Sequence, residues 1–234
     1  MTRSIAVDGR TLTLEAIETV ARDPSVRVTL DDTARERVKA SRDFLEAKVA
    51  GGEAVYGVTT GFGRLADISI AADQRTTLQH NLVRSHASGM GDPMSQPSVR
   101  ALMVLRANAL ARGFSGCRTD LIEQLLALLN AGIHPRVPEF GSVGASGDLA
   151  PLAHVALGLL GEGEVEYKGE WRPAEKCLEA EGITPIILSL KEGLALINGT
   201  QATTGLGVLA LLRAERSLET AEAVAAMSME ALLG

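Results

Sequence analysis

Two stretches of this chain, Val99 to Ala111 and Leu121 to Ala131, are apolar almost all the way round a helical wheel. A helix without a polar face has to be enclosed by other helices, so these two segments alone call for a layered helical interior. Amphipathic partners are spaced along the rest of the chain. Thr13 is placed to cap a helix whose Leu14, Ile17 and Val20 share a face and which Asp23-Pro24 ends. Asp31 to Ala50 carries Ala34, Val38, Leu45 and Val49 as a stripe among charges and stops at Gly51-Gly52. A third helix begins at Asp73, carries Leu78, Leu82 and Val83, and ends near Ser88-Gly89 with His86 in its last turn. Asp148 to Leu160, Pro173 to Ala180 and a long tract from Gln201 through Leu233 complete the helical set. In the last, Leu206, Val208, Leu209, Leu211 and Leu212 form a broad apolar surface. Of 234 residues, 46% are hydrophobic and only 3% aromatic, which favours helix packing over a sheet sandwich and suffices for a large core. The expected fold class is mainly α with a few short β hairpins.

The extended pieces are brief. Ser4 to Val7 and Arg10 to Leu12 flank Asp8-Gly9 and predict an opening hairpin. Val26 to Leu30 reads as a short strand, and Val55 to Val58 as a β-like run entering the glycine-bearing loop Thr59 to Gly63. Gly161 to Arg172 reads as a surface hairpin turning at Lys168-Gly169. Arg112 to Gly116 is a corner that divides the chain into residues 1–112 and residues 113–234.

Charge and cysteine usage narrow the function classes. A net charge of −6 offers no basic stripe for phosphate neutralisation, so nucleic acid is not an expected partner. Cys117 and Cys177 are far apart, with no CxxC pair and no zinc-like spacing, and read as free thiols in a reducing compartment. No segment reads as a membrane span or a secretory leader, so the expected location is cytoplasmic.

The chemistry concentrates at Gly141-Ser142-Val143-Gly144-Ala145-Ser146-Gly147-Asp148-Leu149-Ala150-Pro151-Leu152. Evenly spaced Gly141, Gly144 and Gly147 permit a tight turn. Two readings are open. In one the loop is a helix start, with Ser146 or Asp148 as cap, Pro151 in the first turn and free amides for an anion. In the other the Gly147 nitrogen closes on the Ala145 carbonyl carbon and loss of water leaves an electrophilic alkene at Ser146. Glycine provides the least hindered nitrogen, alanine a little-crowded carbonyl, and serine the β-leaving group.

Gly141 to His154, together with Tyr56-Gly57-Val58-Thr59-Thr60-Gly61-Phe62-Gly63, Asn81 to His86 and Lys191 to Thr200, resembles the aromatic amino-acid ammonia-lyase and aminomutase family. The likeness runs from end to end and stands nearest to the histidine-using lyases. It implies the helical fumarase/aspartase-like lyase fold, of which this chain would be the N-terminal half. Residues 1–112 would be a mostly helical domain with a substrate-covering loop. Residues 113–234 would bear the prosthetic loop and the start of the central bundle. The prosthetic group implied is 4-methylidene-imidazole-5-one (MIO), formed from Ala145, Ser146 and Gly147, with neither metal nor pyridoxal phosphate.

The resemblance also implies roles. Tyr56 would remove the substrate β-proton, which needs a phenol more acidic than its usual ~10. Ser85 and His86 would form the side-chain pocket, His86 suiting an imidazole, although some tyrosine aminomutases also carry Ser-His here. Asn198 would bond the MIO group or the substrate amine, with Gln201 supporting it. Asp148 would assist ring formation, and Gly63 would belong to the covering loop. His80, His134 and His154 read as structural, and Met90, Met94 and Met103 as loop or core. The implied activity is elimination of ammonia from an aromatic amino acid, foremost L-histidine to urocanate, by a homotetramer. A tyrosine or phenylalanine lyase, a 2,3-aminomutase, and an inactive self-associating half are the alternatives.

Overall fold

The two largely apolar segments become the centre of the molecule in the computed structural model, which describes residues 3–55, 57–61, 70–143 and 147–234. In chain order the elements are β1 (Ser4–Val7), α1 (Leu14–Arg22), β2 (Arg27–Leu30), α2 (Asp32–Ala50), α3 (Arg75–His86), β3 (Met90–Pro93), α4 (Gln96–Ala111), α5 (Thr119–Asn130), β4 (His134–Pro135), β5 (Pro138–Phe140), α6 (Leu149–Leu159), β6 (Glu164–Tyr167), β7 (Glu170–Pro173), α7 (Ala174–Ala180), α8 (Glu192–Ile197) and α9 (Gln201–Ala231). The fold is mainly α, and α4 is its hub, packing on α9, α1, α5 and α2. Leu102, Met103 and Leu110 of α4 and Leu121, Ile122, Leu125, Leu128 and Leu129 of α5 are fully enclosed. Removing a side chain such as Leu125 from such a site costs about 2–5 kcal/mol.

Helix starts follow their caps. Thr13 Oγ1 accepts from Ala16 N–H at 3.2 Å and Asp31 Oδ1 from Ala34 N–H at 3.0 Å, each filling one of the open donors of a first turn. A short 3₁₀ turn, Ala72–Gln74, precedes α3, so that helix starts two residues later than Asp73.

The opening hairpin is not formed. Instead β1 lies parallel to β2, Ser4 opposite Arg27 and Val7 opposite Leu30, with α1 as the crossover. Asp8 explains the difference: Oδ1 accepts from the N–H groups of Arg10 and Thr11 at 2.8 and 2.9 Å, turning the chain into α1 instead of back along β1. Asn130 then completes the edge of β2, donating to the Val28 carbonyl and accepting from its N–H, both at 2.8 Å. Among the described residues of the run expected at Val55 to Val58 no strand is formed: the N–H groups of Val58 and Thr59 both donate to the Val55 carbonyl at 3.0 Å, which makes a turn. The hairpin at Lys168-Gly169 is present as β6 and β7, and β4 joins it as a third strand. Most of the segment Lys191 to Thr200 is helix, since α8 occupies Glu192–Ile197.

α9 divides its apolar residues between two surfaces. Val208 and Leu212 face the core, whereas Leu211, Leu218, Val224, Met227 and Met229 are exposed. One window within Glu192–Ala231 reaches a mean hydropathy of 1.3 over 18 residues, so by length and composition this stretch meets the requirement for a span that no segment was expected to meet. A third of that window is buried inside the fold. Cys117 and Cys177 are free and buried, and burial pushes the Cys117 thiol up to about 11. Met94 and Met103 lie in the core, while Met90 is exposed on β3.

Candidate active site

α6 begins at Leu149 with Asp148 at its cap position, but the Asp148 side chain makes no bond to the first turn of that helix. The expected cap is redirected. Asp148 Oδ2 accepts from the backbone N–H of Thr203 at 2.7 Å and Oδ1 from the Thr203 hydroxyl at 2.7 Å, so the carboxylate caps α9. The Ser142 hydroxyl donates to the same Oδ1 at 2.5 Å. Thr200, the residue at the cap position of α9, supplies no side-chain bond of its own, and Asp148 takes its place from across the fold. Asp148 is completely buried, and the α9 N-terminus offers its anion a favourable dipole.

The backbone makes the same connection. Asp148 N–H donates to the Gly199 carbonyl at 2.5 Å. Gly147 has φ +125°, a conformation that side chains rarely adopt, and a Cβ there would overlap the Gly199 carbonyl oxygen. Close approach of two main chains, between the end of the 141–147 loop and the 198–200 bridge, therefore requires glycine at 147.

That bridge joins α8 to α9. Asn198 is exposed, its N–H bonded to the Leu194 carbonyl at 3.1 Å, and its φ of −92° with ψ 100° is extended, not the left-handed turn geometry that a lone asparagine suggests. Gln201, in the first turn of α9, accepts through Oε1 from Arg106 Nη1 at 2.8 Å. Arg106 Nη2 also donates to the Ala195 carbonyl. Burial pushes the Arg106 guanidinium down to about 10, and its Nε has no partner among the described residues.

The end of α3 adjoins the loop through β3. Met90 pairs with Phe140, the last residue before Gly141, and a Cβ on Gly141 would lie 3.2 Å from the Gly89 Cα. His154 on α6 accepts from Gly89 N–H through Nε2 at 3.1 Å, and burial lowers its pKa in keeping with a neutral acceptor. At the last turn of α3, His86 Nδ1 lies 2.8 Å from the Leu82 carbonyl and 3.1 Å from the Ser85 hydroxyl. Only a protonated Nδ1 can donate to a carbonyl, which leaves Nε2 of a neutral His86 as an acceptor. His86 is half-buried and Ser85 exposed.

A second remote cap steadies α8. Gln79, fully buried on α3, accepts through Oε1 from Gly193 N–H at 2.9 Å, and its Nε2 donates to the Gly57 carbonyl at 3.3 Å. The turn that follows position 56 is thereby tied to the start of α8.

Of the residues singled out from sequence, Gly147, Asp148, Asn198 and Gln201 converge on the bridge, and Ser85 and His86 lie at the helix end next to the loop's entrance. Tyr56, Gly63, Ala145 and Ser146 lie outside the described residues. Gln79, Arg106, Ser142 and Thr203 belong to the site's framework and were not anticipated. Arg106 alone carries a sequence signal, as a charged residue among Leu102, Val104 and Leu110, whereas Gln79, Ser142 and Thr203 sit among polar or small neighbours that do not set them apart. No group of three His, Cys, Asp or Glu side chains that could hold a metal ion is found among the described residues.

Residues 12–234 match a family model described as aromatic amino acid lyase. The histidine ammonia-lyase of Geobacillus sp. (strain WCH70) is 52% identical over 231 residues, covering 98% of this chain and 45% of the relative. That of Halalkalibacterium halodurans is 51% identical over 234 residues, covering 100% and 46%. Among solved structures, the histidine ammonia-lyase of Trypanosoma cruzi superposes with a TM-score of 0.93 at 38% identity over 99% of this chain and 44% of that one. The tyrosine aminomutase of Streptomyces globisporus gives 0.88 at 41% identity over 94% and 41%. The chain spans about half the length of the curated relatives it matches.

Proposed function

This chain belongs to the aromatic amino acid lyase family, and we propose that the protein built on it eliminates ammonia from L-histidine to give urocanate. The observation that carries the reading is the lock between the 141–148 loop and the 198–203 segment, made by Asp148 with Thr203 and by Gly147 with Gly199. It holds the end of an Ala-Ser-Gly tripeptide against the segment that carries Asn198, beside a helix end that presents Ser85-His86.

An MIO group from Ala145, Ser146 and Gly147 fits what is described of this loop. Gly147 is held in a glycine-only conformation, and both neighbouring anchors, Ser142 and Asp148, are fixed. When formed, the group supplies an electrophilic methylidene carbon that gives the substrate amine a covalent handle, which a poor leaving group such as ammonium needs. The chain's own residues do the rest. His86 Nε2 accepts the N–H of the substrate imidazole, Asn198 bonds the amine, and the Tyr56 phenolate oxygen takes the β-proton. The buried Asp148 carboxylate holds Ser142 and α9 in register, which fixes the chain on either side of the ring-forming residues. Loss of the β-proton and of ammonia gives the conjugated acid.

In this reading residues 1–112 carry the substrate-covering loop with Gly63, and residues 113–234 the ring-forming loop and the start of a central helical bundle. The protein works as a cytoplasmic homotetramer, and the exposed apolar residues of α9 support association through that helix. A tyrosine-directed aminomutase is the second reading, favoured by the structural likeness to the Streptomyces globisporus enzyme.

The test is made on the full-length protein. Urocanate absorbance should grow with L-histidine, and the intact mass should be two waters below that of the sequence. Ser146→Ala should restore the two waters and lower turnover by several orders of magnitude. Conversion of tyrosine to its β-amino isomer without any urocanate from histidine would refute the histidine reading in favour of the aminomutase.

A further inference from the structure

We propose that Arg106 is a positioning residue for this site, a buried cation that sets the Asn198–Thr200 bridge against the ring-forming loop; the inference rests on the function proposed above. Arg106 lies on the hub helix α4 and is 4% exposed. Its two terminal nitrogens span the break between two helices: Nη2 donates to the Ala195 carbonyl near the C-terminal end of α8, and Nη1 to Gln201 Oε1 in the first turn of α9, at 2.8 Å. A cation is well placed at the C-terminal end of a helix, where the last carbonyls lack partners.

The bridge sits directly on this guanidinium. A Cβ on Gly199 would overlap both Arg106 Nη1 and Gln201 Oε1. The carbonyl of the same Gly199 accepts the Asp148 N–H and lies where a Cβ on Gly147 would be. Arg106 with Gln201, then Gly199, then Gly147 with Asp148 form three layers in contact, without a side chain between them to absorb a shift. Movement of the first layer is passed to the third, which contains the ring nitrogen, and to Asn198 next to Gly199.

A packing role alone does not explain an arginine here. No carboxylate neutralises Arg106 among the described residues, and its Nε is buried without a partner. Desolvating a guanidinium is costly, and a methionine of similar length would fill the space without that cost. What arginine adds is a planar fork that holds two acceptors on different helices at a fixed separation.

The test uses the full-length protein and the Arg106→Met, Arg106→Lys and Gln201→Leu variants. Fold is monitored by circular dichroism, ring formation by the two-water mass deficit, and catalysis by kcat and KM separately. Arg106→Met should lose about 100-fold in kcat with KM nearly unchanged, because misplacement of reacting groups acts on turnover. Arg106→Lys, which keeps one charged donor, should recover part of that loss. A folded Arg106→Met with wild-type kcat and a full mass deficit overturns the proposal. So does a folded Lys variant no better than the Met variant. If Arg106→Met does not fold, Gln201→Leu decides: reduced kcat with intact fold upholds the bracing role, and unchanged kcat overturns it. Turnover is measured on whichever amino acid the wild type consumes, so failure of the histidine reading is seen separately, as a wild type that makes no urocanate.

Discussion

Asp148 Oδ2 lies 2.7 Å from the backbone nitrogen of Thr203, and this one hydrogen bond couples the start of α6 to the start of α9. Two helices far apart in sequence meet at a single buried carboxylate, and the loop that precedes α6 is pinned through it. Asp148→Ala leaves the Thr203 and Ser142 donors without acceptors. The expected loss is about 3 kcal/mol, the scale for removing charge-assisted bonds and a helix cap together. Asp148→Asn, which keeps an acceptor of the same shape, should lose less. Urea-unfolding midpoints at equal slope measure both.

Gly147→Ala puts a methyl group on the Gly199 carbonyl at a residue with φ +125°. Strain and overlap together should cost roughly 2–4 kcal/mol or displace the bridge. The mass of the purified full-length variant should show both waters retained. A variant with the complete mass deficit would mean that the approach to Gly199 is not needed for ring closure.

His86 accounts for substrate choice in the proposed reaction. His86→Leu removes the Nε2 acceptor while filling similar space. KM for L-histidine should rise on the order of tenfold or more, the scale for an unpaired polar contact, with a smaller change in kcat. Steady-state kinetics with histidine and with tyrosine would register the change as a shift in their ratio.

His134 makes stability depend on pH. It is buried, its Nε2 lies 3.1 Å from Arg100 Nη1, and burial followed by the Arg100 charge lowers its pKa to about 4. In the unfolded chain the imidazole titrates near 6.5. The folded state therefore resists a proton that the unfolded state accepts. Stability from this residue is complete above about pH 6.5 and declines as pH falls toward 4, by roughly 3 kcal/mol in all. Denaturation midpoints between pH 7 and 4.5 should fall more steeply for the wild type than for His134→Gln.

Several residues of the proposed site are marked by sequence alone. The tripeptide, the Ser85-His86 pair and Asn198 are local words, and each is recognisable within a few residues. The opposite holds for Arg106, Gln79 and Thr203, whose partners lie 95, 114 and 55 residues away. Their neighbours in sequence carry no trace of those partners. The redirected role of Asp148 shows why: its position at a helix start predicts a local cap, and only the arrival of the α9 N-terminus offers donors that compete for the carboxylate.

Sequence by itself determined that the chain is helical, which segments are enclosed, and which short motifs carry the family likeness, because periodicity and side-chain type act over one or two turns. Only the tertiary structure decided that β1 pairs in parallel with β2, that Gly193 to Ile197 is helix, and that Asp148 caps the helix behind it instead of its own. Those choices depend on long-range hydrogen bonds and close backbone contacts such as Gly147 against Gly199, which exist only once the helices have packed.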